Sequence, residues 1–315
     1  MLSLTLPIPL LKTLTPPSPN INNPSLSPYS HYQPRSRSLT RGLIVPKHSS
    51  ATAPPSATLR DDGTSLAGDS PEPLPEELVA ELMPKHVAVI IDGHGRWAKL
   101  RGLPASAGHQ AGVQPLRTVV RLCCSWGIQV LTVFVLSTEN WFRPKVDSLM
   151  KLFETTINSS IACMKKEGIQ IYVIGDSSKL PESLRSTIAN AEKSTKHNSR
   201  LQLIVAMNYG GKYDVVQACK SVAKKVKDGL LHLDNINEKI IEKELETKCT
   251  EFPYPDLLIR AGGELRLSNF LLWQLAYTEF YFNKTPWPDF GKEEFVDALR
   301  SFQQRQRHYG GERHS

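Results

Sequence analysis

His86-Val87-Ala88-Val89-Ile90-Ile91-Asp92-Gly93-His94-Gly95-Arg96 decides the fold. Its first six residues form a short apolar run, rich in branched side chains and long enough for one strand. An acid then ends the run, followed by two glycines and an arginine. Glycine lets backbone N–H groups approach an anion closely. Arginine makes charge-assisted bonds to phosphate oxygens, and a carboxylate can bind Mg²⁺, which favours oxygen ligands and substrate phosphates. The same string also reads as an ordinary acid–Gly turn.

Outward from this stretch, apolar runs recur at Val130–Ser137, Ile169–Gly175, Leu201–Ala206, Asp256–Arg260 and Glu279–Phe282. Helix candidates lie between and after them, near 109–126, 147–167, 181–196, 212–228, 236–248, 268–277 and 292–308. Short strands alternating with amphipathic helices predict an α/β fold with a central, mainly parallel sheet flanked by helices. Such sheets place ligands at the carboxyl ends of their strands, where the chemically suggestive residues fall. Ser137-Thr138-Glu139-Asn140-Trp141-Phe142-Arg143 crowds polar groups and an arginine at the second strand exit, although a helix-capping box also accounts for its first residues. Arg260-Ala261-Gly262-Gly263-Glu264-Leu265-Arg266-Leu267-Ser268-Asn269 has the makings of an anion site, or of an exposed arginine-rich loop. Glu279 is a second candidate metal ligand or a solvated carboxylate.

The first 60 of the 315 residues contain no Asp or Glu, six Lys or Arg, and many Ser, Thr and Pro. This is the composition of an organelle transit peptide, or of a plain disordered tail. A cleavage point within 45–75 is expected, then a polar, Pro-rich linker over 61–80 and a folded domain over 81–315. The tail carries six of the seven net positive charges, so the basic balance is no argument for nucleic acid, and no basic stripe with interleaved aromatics supports it. Leu2 to Leu11 is broken by Pro7 and Pro9 and is too short to span a membrane. The five cysteines are scattered without C-x-x-C spacing, which gives no sign of zinc or a disulfide framework. There is no Walker loop, no G-x-G-x-x-G after a strand and no G-x-S-x-G elbow.

Taken together, His86–Trp97, Gly108-His109, Leu131–Arg143, Asn208-Tyr209-Gly210-Gly211, Pro255–Glu279 and Trp287-Pro288-Asp289-Phe290 resemble the cis-prenyltransferase family, whose best-known member is undecaprenyl diphosphate synthase. The resemblance covers about residues 82–311, and the N-terminal segment fits a plant plastid form. It implies a butterfly-like α/β fold, usually dimeric, with an apolar tunnel beside a polar mouth. Such enzymes use Mg²⁺ to join an allylic diphosphate, such as dimethylallyl diphosphate, to isopentenyl diphosphate. By the family pattern Asp92 orients the metal and the leaving diphosphate, with Glu279 assisting. Gly93, Gly95, Arg96 and His109 hold the allylic diphosphate. Trp97 and Trp141 line the mouth, and Asn140 lies near proton removal. Arg143, Arg260, Arg266 and Ser268 hold the second diphosphate, with Ser137, Thr138, Glu139 and Leu267 in the same substrate-binding strings.

The chain departs from the pattern in several places. His94 stands for the usual Asn, Ala105 for an Arg, and Ala261 for a Thr. His308-Tyr309-Gly310 replaces an Arg-x-Gly whose arginine reaches a dimer partner. The stretch between Pro144 and Leu149 is two residues short, and Val135 replaces a small Ala, narrowing the tunnel. Each lost arginine contact is worth roughly 1.5–3 kcal/mol per charge-assisted bond. One implication is a non-catalytic partner subunit. The other is altered chemistry, because His94 adds a general base beside Asp92. That resembles the short-chain plastid branch, in which two dimethylallyl diphosphates couple irregularly to lavandulyl diphosphate, or dimethylallyl and isopentenyl diphosphate condense to neryl or longer diphosphates.

Overall fold

The computed structural model describes residues 71–141 and 146–305. Arg143 and His308, the shortened stretch at Pro144, and the expected transit segment all fall outside these residues. Six parallel strands form one sheet: β1 (His86–Ile90), β2 (Val130–Ser137), β3 (Ile169–Ile174), β4 (Leu201–Tyr209), β5 (Leu257–Arg260) and β6 (Glu279–Phe282), in the order β3-β4-β2-β1-β5-β6. The α/β expectation holds. Burial follows position: β1 is buried throughout at the centre, whereas the edge strand β6 is mostly half-buried. This is what an apolar run such as His-Val-Ala-Val-Ile needs, since a central parallel strand is covered on both faces.

Alternation along β1 sends Val87 and Val89 into one core and Ala88 and Ile90 into another. The first face packs residues of α3 (Val113–Trp126), α4 (Val146–Glu167), α5 (Glu182–Thr195) and α8 (Lys292–Gln303). On the second face Phe134 stacks on Phe270 with ring centres 4.5 Å apart, and Tyr209 meets both rings edge-on. His86 is fully buried at the start of β1; its ring nitrogens bond the Phe252 carbonyl and the Thr132 hydroxyl, each at 2.7 Å.

Three helix expectations need correction. Residues 268–277 form consecutive turns, with Ser268, Asn269 and Leu271 at positive φ. The Asn269 side chain accepts from the Lys212 amide, its carbonyl accepts from Gly211, and Phe270 and Leu271 are fully buried. These tertiary anchors outweigh helical propensity, as side-chain bonds to nearby backbone commonly do for Asn. The segment read as 236–248 is only the short α7 (Glu238–Glu242) and a 3-10 turn at Glu246–Cys249. The segment read as 109–126 is split at Gly112, where α2 (Ala105–Ala111) gives way to α3. Two helices border the end of β1: α2, and α1 (His94–Leu100), where only a turn was expected. α6 (Gly211–Lys227) follows β4.

Candidate active site

The site lies at the carboxyl ends of β1, β2 and β5. Asp92 follows β1, and Gly93 bends the chain into α1 with φ of 98°. A Cβ there would lie 2.9 Å from Pro286, so both conformation and space require glycine. The Asp92 carboxylate accepts from the Gly93 amide at 2.6 Å and from Arg260 at 3.0 Å, and Arg96 stands 3.6 Å away. Arg260, the last residue of β5, is 3% exposed. It also donates to the Ser268 hydroxyl at 2.8 Å and to the Arg266 carbonyl, while its buried Nε has no partner. Glu264 pairs with both Arg96 and Arg266.

Two cavities meet here. One, of about 390 Å³, is mainly apolar and runs between α2, α3 and α4, with Val113, Leu116, Leu149, Leu152 and Phe153 among its walls. Gly95, His94, His109 and Ala105 also line it. The other, of about 570 Å³, is polar, and Arg96, Arg260, Arg266, Ser268, Glu139 and Ser137 line it. Asp92, Asn140, Ile91, Val135 and Leu136 belong to both. Ser137 donates to Glu139, which in turn accepts from Asn269 at 2.8 Å.

His94 is mostly buried, its ring centre 5.3 Å from that of His109. Burial first, then electrostatic repulsion from His109, push its pKa down to about 4, against the pull of Asp92. The imidazole is therefore neutral at neutral pH, with a lone pair available to accept a proton. Gly112 makes room for this ring: a Cβ there would lie 2.5 Å from His94 Nε2.

Several expected site residues sit elsewhere. Trp97 lines neither cavity; its indole donates to Asp289 at 2.6 Å and Arg101 stacks over it at 4.3 Å. Trp141 packs against the main core, Leu267 against the second, and Thr138 faces Gly210. Glu279 is not brought to Asp92. It opens β6 level with Leu257, three residues back from Arg260 and so on the order of 10 Å away along the strands, and it pairs with Arg305. Sequence reading gave no role to the α3 and α4 cavity walls, to Gly112 or to Glu264. The helix walls carried only the signal of amphipathic positions.

Among the described residues no cluster of three or more His, Cys, Asp or Glu side chains could hold a metal. Mg²⁺ commonly takes one or two carboxylates together with substrate phosphates. Asp92, 36% exposed between the two cavities, fits that role as a single protein ligand.

A six-stranded parallel sheet carries an acid-and-arginine cleft suited to an anionic group, beside a cavity with room for an apolar chain. Residues 90–310 match the prenyltransferase family described as "Putative undecaprenyl diphosphate synthase", and the chain belongs to it. It is 59% identical over 254 residues to dehydrodolichyl diphosphate synthase 2 of Arabidopsis thaliana, covering 80% of this chain and 82% of that protein. It is 51% identical over 234 residues to a chloroplastic (2Z,6Z)-farnesyl diphosphate synthase of Solanum lycopersicum, covering 74% and 81%. The crystal structure of lavandulyl diphosphate synthase from Lavandula x intermedia in complex with dimethylallyl diphosphate superposes with a TM-score of 0.72 at 44% identity, covering 73% of this chain and all of that one.

Proposed function

We propose that the chain is a short-chain cis-prenyltransferase-type enzyme that joins two five-carbon diphosphates and releases diphosphate. The observation that carries this reading is the meeting of an apolar and an arginine-walled cavity at Asp92 and Asn140. In this reading the allylic chain of dimethylallyl diphosphate lies in the apolar cavity. Its diphosphate sits at the head of α1 beside Gly93, Gly95, Arg96 and His109. Arg260, Arg266 and Ser268, with Arg143 from outside the described residues, hold the second diphosphate. Asp92 would hold Mg²⁺, which when bound offsets the charge of the departing diphosphate. Arginine donors stabilise the same charge, and apolar walls keep water from the allylic cation. About 390 Å³ is near the lower end of small-ligand pockets, roughly 300–1,000 Å³, which suits a short product.

His94 favours the irregular coupling of two dimethylallyl diphosphates to lavandulyl diphosphate. The first gives up its diphosphate, the alkene of the second forms the new carbon–carbon bond, and neutral His94 takes a methyl proton. The lavandulyl synthase likeness supports this. The second reading is regular condensation with isopentenyl diphosphate to neryl or longer cis-products, with Asn140 near proton removal. The intact Arg260, Arg266, Ser268 wall and the farnesyl synthase relative support it. The chloroplastic relative and the acid-free N-terminus together support plastid residence and a transit peptide over about 1–60. The linker expected over 61–80 is shorter in this reading, because Glu72 pairs with Arg121 and Lys292 and Leu78 is buried in the core, which puts the start of the catalytic domain near residue 72 rather than 81. A homodimer follows from the family pattern.

The test is mass spectrometry of products from protein beginning near residue 75, with Mg²⁺ and dimethylallyl diphosphate, with and without isopentenyl diphosphate. A branched C10 diphosphate from dimethylallyl diphosphate alone is the expected result. Product only with isopentenyl diphosphate supports regular elongation. No product in either tube means a non-catalytic partner subunit.

A further inference from the structure

Arg96 and Arg266 come from different elements, the first turn of α1 and the loop after β5, yet one carboxylate joins them. Glu264 Oε1 lies 3.3 Å from Arg96 Nη1, and its Oε2 pairs with Arg266 Nη1. All three side chains wall the polar cavity. Glu264 is held there by its backbone: Gly262 and Gly263 both adopt positive φ, and their amides bond the carbonyls of Thr285 and Asn283 at 2.8 Å. A Cβ on Gly262 would come within 3.1 Å of Arg96 and of the Asp92 backbone, so the turn lies directly against the base of α1.

A carboxylate spanning two guanidinium groups occupies the same donors that a diphosphate uses, because each N–H serves one strong acceptor at a time. Arg260 differs in this respect: it is fixed by Asp92, Ser268 and a backbone carbonyl, with no contact to Glu264. The carboxylate thus restrains the two exposed arginines and leaves the buried one alone. We propose that Glu264 is an internal competitor for diphosphate: it holds Arg96 and Arg266 in the empty site, yields them to ligand, and takes them back to expel the product diphosphate. This rests on the reading of the polar cavity as a diphosphate site. Glu264 is a positioning residue; it forms no bond with the reacting carbons.

Binding of inorganic diphosphate to the purified protein tests the idea, together with steady-state kinetics of wild type and Glu264→Gln. Gln keeps the shape and removes the charge, so diphosphate binds about 1.5- to five-fold tighter, the range expected when an exposed ion-pair competitor is lost. KM falls, and kcat falls with it because release slows. A structural role alone would weaken binding or lower kcat without tightening KM. Glu264→Ala, which frees Arg266 and leaves Arg96 only its pair with Asp92, without a replacement amide, is expected to tighten diphosphate in the same direction. Unchanged or weaker diphosphate binding in both variants, with thermal midpoints like wild type, overturns the competitor role while leaving the diphosphate site intact. Failure of the wild type itself to bind inorganic diphosphate overturns both the role and the site.

Discussion

In the proposed irregular coupling, His94 is the residue on which product chemistry turns. In that reading a neutral imidazole in the wall of the apolar cavity, two residues from Asp92, accepts a proton; Asn in its place keeps a hydrogen bond and loses the base. His94→Asn is expected to keep dimethylallyl diphosphate binding within a few-fold and to lose the branched C10 product, as read by mass spectrometry. The same branched product at an undiminished rate would remove His94 from the chemistry. His94 was legible in the sequence only as a departure from the family pattern, a histidine where the resemblance puts Asn near Asp92. Its contact with His109 and its seat over Gly112 were not, because both depend on how α1 and α2 pack. Glu279, given a metal role by the family pattern, is a different case. A carboxylate beside an apolar strand looks like a ligand in one dimension, but strand register puts it at the far end of the sheet from Asp92.

Among elements, strands were the most legible, since a run of β-branched residues buried on both faces has few alternatives. The 268–277 segment misled because Phe270, Leu271 and Leu275 are spaced like a helix face, whereas Asn269 holds the chain in the left-handed region. α1 and the first turn of α2 escaped notice because seven residues containing glycine show too little period. β1 carries a pH dependence of its own. Burial lowers the pKa of His86 from 6.5 to about 4, so the unfolded chain binds its proton first as pH falls. Stability from this group is complete above about pH 6.5, declines between pH 6.5 and 4, and is fully lost below. The difference is on the order of 3 kcal/mol. Urea midpoints at pH 4.5, 5.5 and 7 are expected to fall more steeply for wild type than for His86→Gln. Parallel curves would mean that His86 does not carry the effect.

At the scale of the molecule, the proposed function makes the apolar cavity, walled in part by α4, the expected limit on product length. Phe153 and Leu149 wall it, and Phe153→Ala is expected to shift products toward longer chains when isopentenyl diphosphate is supplied, at some cost in stability. An unchanged chain-length distribution would place the limit elsewhere. No helix among the described residues is long and apolar enough to cross a membrane. The central position of β1 has a consequence for how the chain is made. Its neighbour β5, and the Arg260 that grips Asp92, arrive 168 residues later. Until the ribosome has released that last fifth, β1 is an uncovered edge of backbone donors and acceptors between two greasy faces, the kind of surface that associates with its like. Nascent chains therefore need shielding for most of their synthesis, and no prefix of the polypeptide has a reaction centre.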